Sequence, residues 1–496
     1  MRNAGPSDGT SEAIEFLRVT IPDMADRIPD TSILTAAELD SIRRPYRGAR
    51  LLPRRAYHEP AIFDWERANV LRKDWVIVGR VDEAPDPGTY FLAELDGEPL
   101  LVVRARDGQL RAFYNVCQHR GTAVVEEQCG TAVRFQCPYH AWIYDLEGKL
   151  IRAKHTDDLD DFSFEAYGLR PVGCETWQGF VFLNLDPDAE PLAAQLGDLD
   201  EHLGRFEFGD LQSARTITYD VGANWKFIAE NYSECYHCPP LHPQLNKLTP
   251  YDVGGDYAPD GAWQGGWMEL VAGAETMALD GGQGSKHGRP PMCGMTTEDE
   301  RRIFYYVLWP TAFLSIHPDY LLVHRLIPVA PDRTTVICQL LFEPATMALP
   351  DFDPADAIAF WDLTNSQDWH VCEMQQRGTK SSSWISGRYS NQEASVHAFD
   401  QMIAERYAGL EFSALRTVRE RYDQPVPKEA PIGRLDAGPQ RHDAGQEAAH
   451  ADHDAHDAAD HDPHEHDHPT TGRGSHEHAH ARTTARAKAT KATTPP

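Results

Sequence analysis

Residues 115–121 read Asn-Val-Cys-Gln-His-Arg-Gly, and residues 137–142 read Cys-Pro-Tyr-His-Ala-Trp. Each stretch sets one thiol and one imidazole close together in a short turn, Cys117 with His119 and Cys137 with His140. Two such turns facing each other suit a [2Fe-2S] cluster, with both cysteines on one iron and both histidines on the other. Neutral imidazoles in place of thiolates lower the negative charge round the cluster and raise its reduction potential. Gly121 and Pro138 suit loops that bend closely round such a group. A structural zinc site uses the same donor atoms, but ordinarily pairs Cys with Cys and His with His. The alternation Cys-His, Cys-His favours the iron–sulfur reading.

Working outward, the flanking residues read as short strands and turns. A β-branched run at 99–104 meets Asp107-Gly108, a hairpin turn, and returns over 109–114. Residues 133–136 and 141–145 predict two further strands, and Glu147-Gly148 turns the chain into 149–153. The expectation is a compact all-β module over about 70–185. Before it lies a polar leader in which Thr35-Ala-Ala-Glu38 reads as a capping box, followed by a helix over 60–72.

Beyond 185 the texture is mixed. Residues 214–221 predict a strand, and 224–237 a helix stopped by Pro239-Pro240. Residues 250–300 are rich in Gly and Pro and read as a long loop carrying Tyr257, Trp263, Trp267 and Met268. Strands are expected over 305–342. Helices follow over 354–377 and 391–410, the second with Val396, Phe399, Ile403 and Tyr407 on one stripe. The fold class is α+β, an antiparallel sheet covered by helices. The expected division is a leader (1–56), an iron–sulfur domain (57–185), a catalytic domain (186–424) and a tail (425–496). The tail is dominated by Ala, Asp, His, Thr and Pro, cannot bury enough apolar surface to fold, and is expected to be disordered. It holds eleven of the 23 histidines, so it is either a solvated linker or a reservoir for zinc, nickel or iron.

A second constellation lies in Asn224-Trp-Lys-Phe-Ile-Ala-Glu-Asn-Tyr-Ser-Glu-Cys-Tyr-His-Cys-Pro-Pro-Leu-His242. On an unbroken helix His237 and His242 would point about 140° apart. The Pro239-Pro240 break lets them meet. Two imidazoles need one carboxylate to complete a 2-His-1-carboxylate iron site with open positions for O₂. On the helix over 361–375 the inward stripe runs Trp361, Thr364, Asn365, Asp368, Val371, Cys372, Gln375. Asp368 therefore points where the apolar residues point, which is costly unless it ligates a metal or is paired. Asp362 and Glu373 fall off the stripe. The other cysteines, Cys235-x-x-Cys238 included, read as small buried hydrophobes.

The whole-chain quantities narrow the function. A length of 496 residues suits two domains with extensions. A net charge of −29 repels nucleic acid and anionic membrane surfaces. There is neither a run of eighteen apolar residues nor a basic-then-apolar leader, so a cytoplasmic protein is expected. Nine cysteines are too few and too irregular for a secreted disulfide framework. No Gly-x-Gly-x-x-Gly follows a strand, so NAD(P)H is expected to act through a separate reductase.

These motifs together resemble the Rieske non-haem iron oxygenase (aromatic-ring-hydroxylating dioxygenase) alpha-subunit family over about 57–407. The stretches that carry the resemblance are 115–121, 137–142, 224–242 and Gln367-Asp368 through Glu373. It implies a Rieske domain followed by a catalytic domain of helix-grip fold. It also implies a mononuclear Fe(II) held by His237, His242 and Asp368, with Glu234 bridging to His140 of the partner subunit. Asn231 and Glu234 are the candidate catalytic residues. The implied partners are a ferredoxin or flavin reductase, a small-molecule substrate and further copies of the chain, as a trimer. Ring dioxygenases usually have Asp at the bridge. Glu234 and His317-Pro-Asp-Tyr320 resemble instead the choline, carnitine and glycine betaine monooxygenases. Tyr257, Trp263 and Trp267 are candidate substrate contacts, as a cation cage, a ring-stacking surface or mere loop packing. The rival functions are a Rieske electron-transfer protein without oxygenase activity and a zinc-stabilised binding protein.

Overall fold

The computed structural model describes residues 33–45, 47–257, 259–279 and 289–410; the expected tail and most of the leader lie outside this range. The first module is an antiparallel sheet of seven strands. Their order is Val76–Arg80, Phe180–Asn184, Pro171–Trp177, Leu110–Tyr114, Glu98–Arg104, Thr89–Leu95 and Cys129–Thr131. A second layer of three short strands, Phe135–Gln136, Ile143–Tyr144 and Leu150–Arg152, packs against it. Residues 100–103 are all fully buried because both faces of their strand are covered. Leu101 and Val103 face the core under the Cys117 and Cys137 turns, and Leu100 and Val102 face the opposite core. That two-sided burial explains a run with no polar alternation.

The second module is another seven-stranded antiparallel sheet. Its order is Gln212–Val221, Arg333–Phe342, Leu321–Ala330, Ala312–Ile316, Arg302–Leu308, Trp263–Glu269 and Gly254–Asp256. One face carries the helices Trp225–Tyr232, Ala355–Gly378 and Ala394–Tyr407. The other packs on helices Leu192–Leu196 and Leu199–Leu203 and on Trp75, Phe180 and Phe182 of the first module.

Three expectations need correcting. Residues 250–300 are not one loop, because they supply the last two strands of the sheet. Gly265 and Gly266 hide this in the sequence, yet the strand forms because Arg302–Leu308 offers it a full ladder from Trp263↔Leu308 to Glu269↔Arg302. The helix that starts at Asn224 ends at Tyr232 rather than at 237. Pro239 and Pro240 do not stop it; they open a separate turn, Cys238–Leu241, where missing N–H groups are tolerated. The polar leader also joins the core from Leu34 onward. Leu34, Ile42 and Leu52 of the leader, together with Tyr57, Ile62 and Phe63 of the stretch after it, pack with Trp225, Phe399 and Ile403 of the catalytic module.

That junction encloses a charged group. Lys226 Nζ lies 2.6 Å from Glu66 Oε1, with both side chains at most 1% exposed. Trp225 Nε1 donates to the other Glu66 oxygen at 3.0 Å, and the Tyr407 hydroxyl also bonds Glu66. Replacing Lys226 with Met leaves the Glu66 carboxylate buried without a counter-charge, and removing one partner of such a pair costs about 3–5 kcal/mol. Urea unfolding of K226M is expected to show a loss of that size. A loss below about 1 kcal/mol, the scale of an exposed pair, would contradict it.

Candidate metal centres and substrate cavity

The two Cys-His turns of the first module are built alike. In each, the cysteine carbonyl accepts from the N–H four residues on, Gly121 to Cys117 at 3.0 Å and Ala141 to Cys137 at 3.1 Å. The donating residue is left-handed in both, with φ of 76° at Gly121 and 56° at Ala141. Cys117 and Cys137 are buried, at 2% and 1%, while His119 and His140 lie at the surface with ring centroids 4.5 Å apart. The Tyr144 hydroxyl lies 3.3 Å from Cys117 Sγ. Inner thiols and outer imidazoles, converging from two loops, fit a [2Fe-2S] group with the histidine-bound iron facing outward.

In the second module, His237 and His242 flank the Cys238–Leu241 turn as its N- and C-terminal caps. Their rings approach to 5.0 Å. Among the described residues, His237, His242 and Asp368 each offer a ligand atom within 4.8 Å of the other two. Asp368 Oδ1 lies 2.8 Å from His242 Nε2 and 3.5 Å from His237 Nε2. Behind them, His237 Nδ1 lies 2.6 Å from Glu234 Oε1, and His242 Nδ1 lies 2.8 Å from Gln367 Oε1. An acceptor behind each Nδ1 fixes its proton there and turns Nε2 toward Asp368. Burial alone would raise the Asp368 carboxyl, but its interactions with the His237 and His242 imidazoles outweigh that and hold it below the usual range. Two imidazole nitrogens and one carboxylate oxygen on one side of a cavity fit a facial iron site.

The alternative carboxylates are engaged elsewhere. Asp362 accepts from the Tyr219 hydroxyl at 2.8 Å, and Glu373 from the Gly222 N–H at 3.1 Å. The buried stripe of the long helix runs Ala357, Phe360, Trp361, Thr364, Asn365, Trp369, Cys372 and Gln376; of the expected stripe, Asp368 and Val371 are half-buried and Gln375 is exposed. The cysteines are also not uniformly buried hydrophobes. Cys235 and Cys238 are joined as a disulfide, while Cys129 and Cys293 are exposed.

Above the triad lies a cavity of about 160 Å³. Asn231 and Glu234 line it, with Tyr232, Tyr305, Trp361, Trp369, His324 and Met268. The expected aromatic contacts are mostly elsewhere, and strand geometry says why. Along Trp263–Glu269 successive side chains alternate faces. Trp263 and Trp267 share the face away from Gln264, Gly266 and Met268. Trp263 is fully buried in the core between the modules, its Nε1 donating to Asp198 Oδ1 at 3.0 Å. Tyr257 stacks on Tyr306 at 5.8 Å in that same core. Trp267 borders the cavity, but its ring is covered by the Arg302 guanidinium at 3.7 Å. His324, Trp361 and Trp369 were missed as cavity residues. Helical spacing marks Trp361 as buried but the expected stripe leaves out Trp369, and nothing local distinguishes a core residue from one at a cavity wall.

Residues 74–163 match the Rieske [2Fe-2S] domain model, and residues 208–409 match that of the ring hydroxylating alpha subunit catalytic domain. The chain belongs to the Rieske non-haem iron oxygenase alpha-subunit family. It is therefore a terminal oxygenase that incorporates O₂ and uses a [2Fe-2S] cluster and a mononuclear iron.

Among its relatives is the glycine betaine monooxygenase oxygenase subunit of Chromohalobacter salexigens, 30% identical over 377 residues, covering 70% of this chain and 83% of that one. The carnitine monooxygenase oxygenase subunit of Escherichia coli is 38% identical over 203 residues, 40% of this chain and 54% of that one. The quaternary ammonium Rieske monooxygenase CntA, solved with its substrate L-carnitine, superposes with a TM-score of 0.64 at 26% identity. That superposition covers 74% of this chain and 98% of CntA. No helix among the described residues is long and apolar enough to cross a membrane.

Proposed function

We propose that this chain oxidises a methylated ammonium compound, working as a cytoplasmic homotrimer supplied with electrons by a ferredoxin or flavin reductase. The observation that carries the reading is the convergence of His237 Nε2, His242 Nε2 and Asp368 Oδ1 beside a cavity walled by aromatic side chains. The glycine betaine and carnitine relatives supply the substrate class. In this reading Cys117, Cys137, His119 and His140 hold the cluster, and His237, His242 and Asp368 hold the mononuclear iron. When bound, the cluster supplies one-electron transfer and the mononuclear iron supplies O₂ activation.

The protein's own part is positioning. Glu234 and Gln367 fix the two imidazoles in one tautomer. Among the described residues no hydrogen bond joins His140 to Glu234 within the chain, and His140 lies at the surface. His140 of the partner subunit is proposed to donate to Glu234. An imidazole–carboxylate–imidazole chain would then join the sites across a subunit boundary. The net reaction consumes O₂, an electron pair and a pair of protons. One oxygen replaces a C–H hydrogen as hydroxyl and the other leaves as water. Where the hydroxylated carbon is an N-methyl group, the C–N bond then breaks and formaldehyde is released.

The test is a single turnover of chemically reduced protein with betaines, carnitine, choline, N-methylated prolines and simple aromatic acids. A hydroxylated or demethylated ammonium product, read by mass, is expected. A phenol or a cis-diol would instead make the enzyme a ring hydroxylase.

A further inference from the structure

Away from the metal centres, three carboxyls meet in a dry junction. Glu66 ends the helix Pro60–Glu66, Glu230 lies on Trp225–Tyr232, and Asp400 lies on Ala394–Tyr407. All three are buried, and so are Tyr57, Tyr389 and Tyr407, the hydroxyls that reach them. Lys226 is the cation that faces the group, and its Nζ is committed to Glu66 Oε1 at 2.6 Å. Among the described residues neither Glu230 nor Asp400 forms an ion pair of its own. Three carboxylates against one ammonium is a costly arrangement in a site without water, so one of them must stay protonated.

The geometry shows where that proton sits. The Tyr57 hydroxyl donates to Glu230 Oε1 at 2.6 Å, and the Tyr389 hydroxyl donates to Asp400 Oδ2 at 2.6 Å. Asp400 Oδ1 is buried without a hydrogen-bond partner. Glu230 and Asp400 lie within hydrogen-bonding reach of each other, so a proton on Glu230 supplies the donor that Asp400 lacks. Burial, and then the Asp400 charge, hold the Glu230 carboxyl well above its usual range, against the Tyr57 bond and Lys226. Burial pushes Asp400 up to about 7, against the Tyr389 hydroxyl, Glu230, the Leu52 N–H and Lys226. The outer neighbours add no cation. His397, its ring 4.9 Å from that of Tyr389, is lowered by burial and bonded to the Ile42 carbonyl at 3.0 Å. His58 is also lowered by burial, and Glu393 is a further carboxylate, taken by the Ser390 N–H.

Each member of the pair belongs to a different stretch of cavity wall. Asn231 and Tyr232, which line the cavity, follow Glu230 at the end of its helix. Asn391, Gln392 and Ser395, which line it too, lead into the helix of Asp400. With one proton between them the two carboxyls form a hydrogen bond, and the two stretches are drawn together. With none they are like charges in contact, shut away from water by Tyr57 and Tyr389, and they repel.

We propose that Glu230 and Asp400 share one proton, and that this proton clamps helix Trp225–Tyr232 to helix Ala394–Tyr407, so that the cavity wall loosens as alkali removes it. The sign follows from linkage. A carboxyl raised in the closed protein holds its proton more tightly closed than open, so stability is lost and opening grows as pH rises, about tenfold per pH unit for one proton. The protons of a touching pair leave in separate steps. The lower step falls at about 7, so the shared proton is the one lost above it.

Hydrogen exchange read by mass on the holoenzyme tests the clamp, in the unaltered protein and in Glu230→Gln, whose amide imitates the protonated acid and cannot be deprotonated. Between pH 7 and pH 9, peptides from 225–232 and 394–407 of the unaltered protein are expected to gain about 100-fold in opening over the same peptides of the variant. The intrinsic rise of exchange with pH is common to both proteins and cancels. Peptides from 98–104, in the iron–sulfur module, should rise equally in the two. An infrared spectrum of the unaltered protein at pH 8 needs no variant. It is expected to carry a carboxylic-acid C=O band that fades at higher pH as the exchange gains. An equal rise with pH in both proteins, which a merely structural Glu230 would give, would overturn the clamp. A spectrum at pH 8 without that band would overturn the shared proton. Neither measurement depends on which substrate the cavity takes.

Discussion

Asp368→Ala is expected to abolish turnover while leaving the Rieske chromophore intact. The proposed iron site has only three protein ligands, and the helix Ala355–Gly378 offers no substitute. Asp362 is held by Tyr219, and Glu373 by the Gly222 N–H. Without Asp368, two neutral imidazoles remain to hold a divalent ion. Loss of a metal that supplies several kcal/mol of transition-state stabilisation corresponds to about three orders of magnitude in rate. The variant should retain the cluster's visible absorption, because Cys117, His119, Cys137 and His140 belong to the other module. Asp362→Ala should keep near-normal turnover. Equal losses in the two variants would show that the carboxylate had been misplaced.

Glu234→Gln is expected to separate metal binding from electron supply. The amide oxygen can still accept from His237 Nδ1, replacing the 2.6 Å contact, so the iron should remain. An amide has no second acceptor oxygen for His140 of the partner subunit, and presents an NH₂ group there instead. Reoxidation of a chemically reduced cluster, in the presence of O₂ and substrate, should slow about 100-fold, the upper range for groups that orient metal ligands. Glu234→Asp restores a carboxylate and should recover part of the rate. Iron loss in step with the rate would reduce Glu234 to a prop for His237, and an unchanged rate would remove it from the route.

What could be read in the sequence was what is local. Cys117, His119, Cys137 and His140 announce themselves because cluster ligands sit a few residues apart in single turns. His237 and His242 did so because two prolines between them demand a bend. Asp368 stood out as a polar residue on an apolar stripe, but periodicity left a salt bridge and metal ligation equally open, and only the resemblance pointed to ligation. What escaped depends on contacts distant in the chain. The strand Trp263–Glu269 looks like a loop until Arg302–Leu308 lies beside it. Which face Trp263 and Trp267 take is decided by that same pairing, so expecting them in the cavity amounted to guessing a register. Glu66 and Lys226, 160 positions apart, form a buried pair that no window of sequence contains.

The central claim is that one chain holds both a two-iron cluster and a separate mononuclear iron, and iron and acid-labile sulfide analysis of the purified protein tests it most directly. About three irons and about two sulfides per chain are expected. About two irons with two sulfides would leave an electron-transfer protein, and zinc without sulfide would contradict the oxygenase reading altogether.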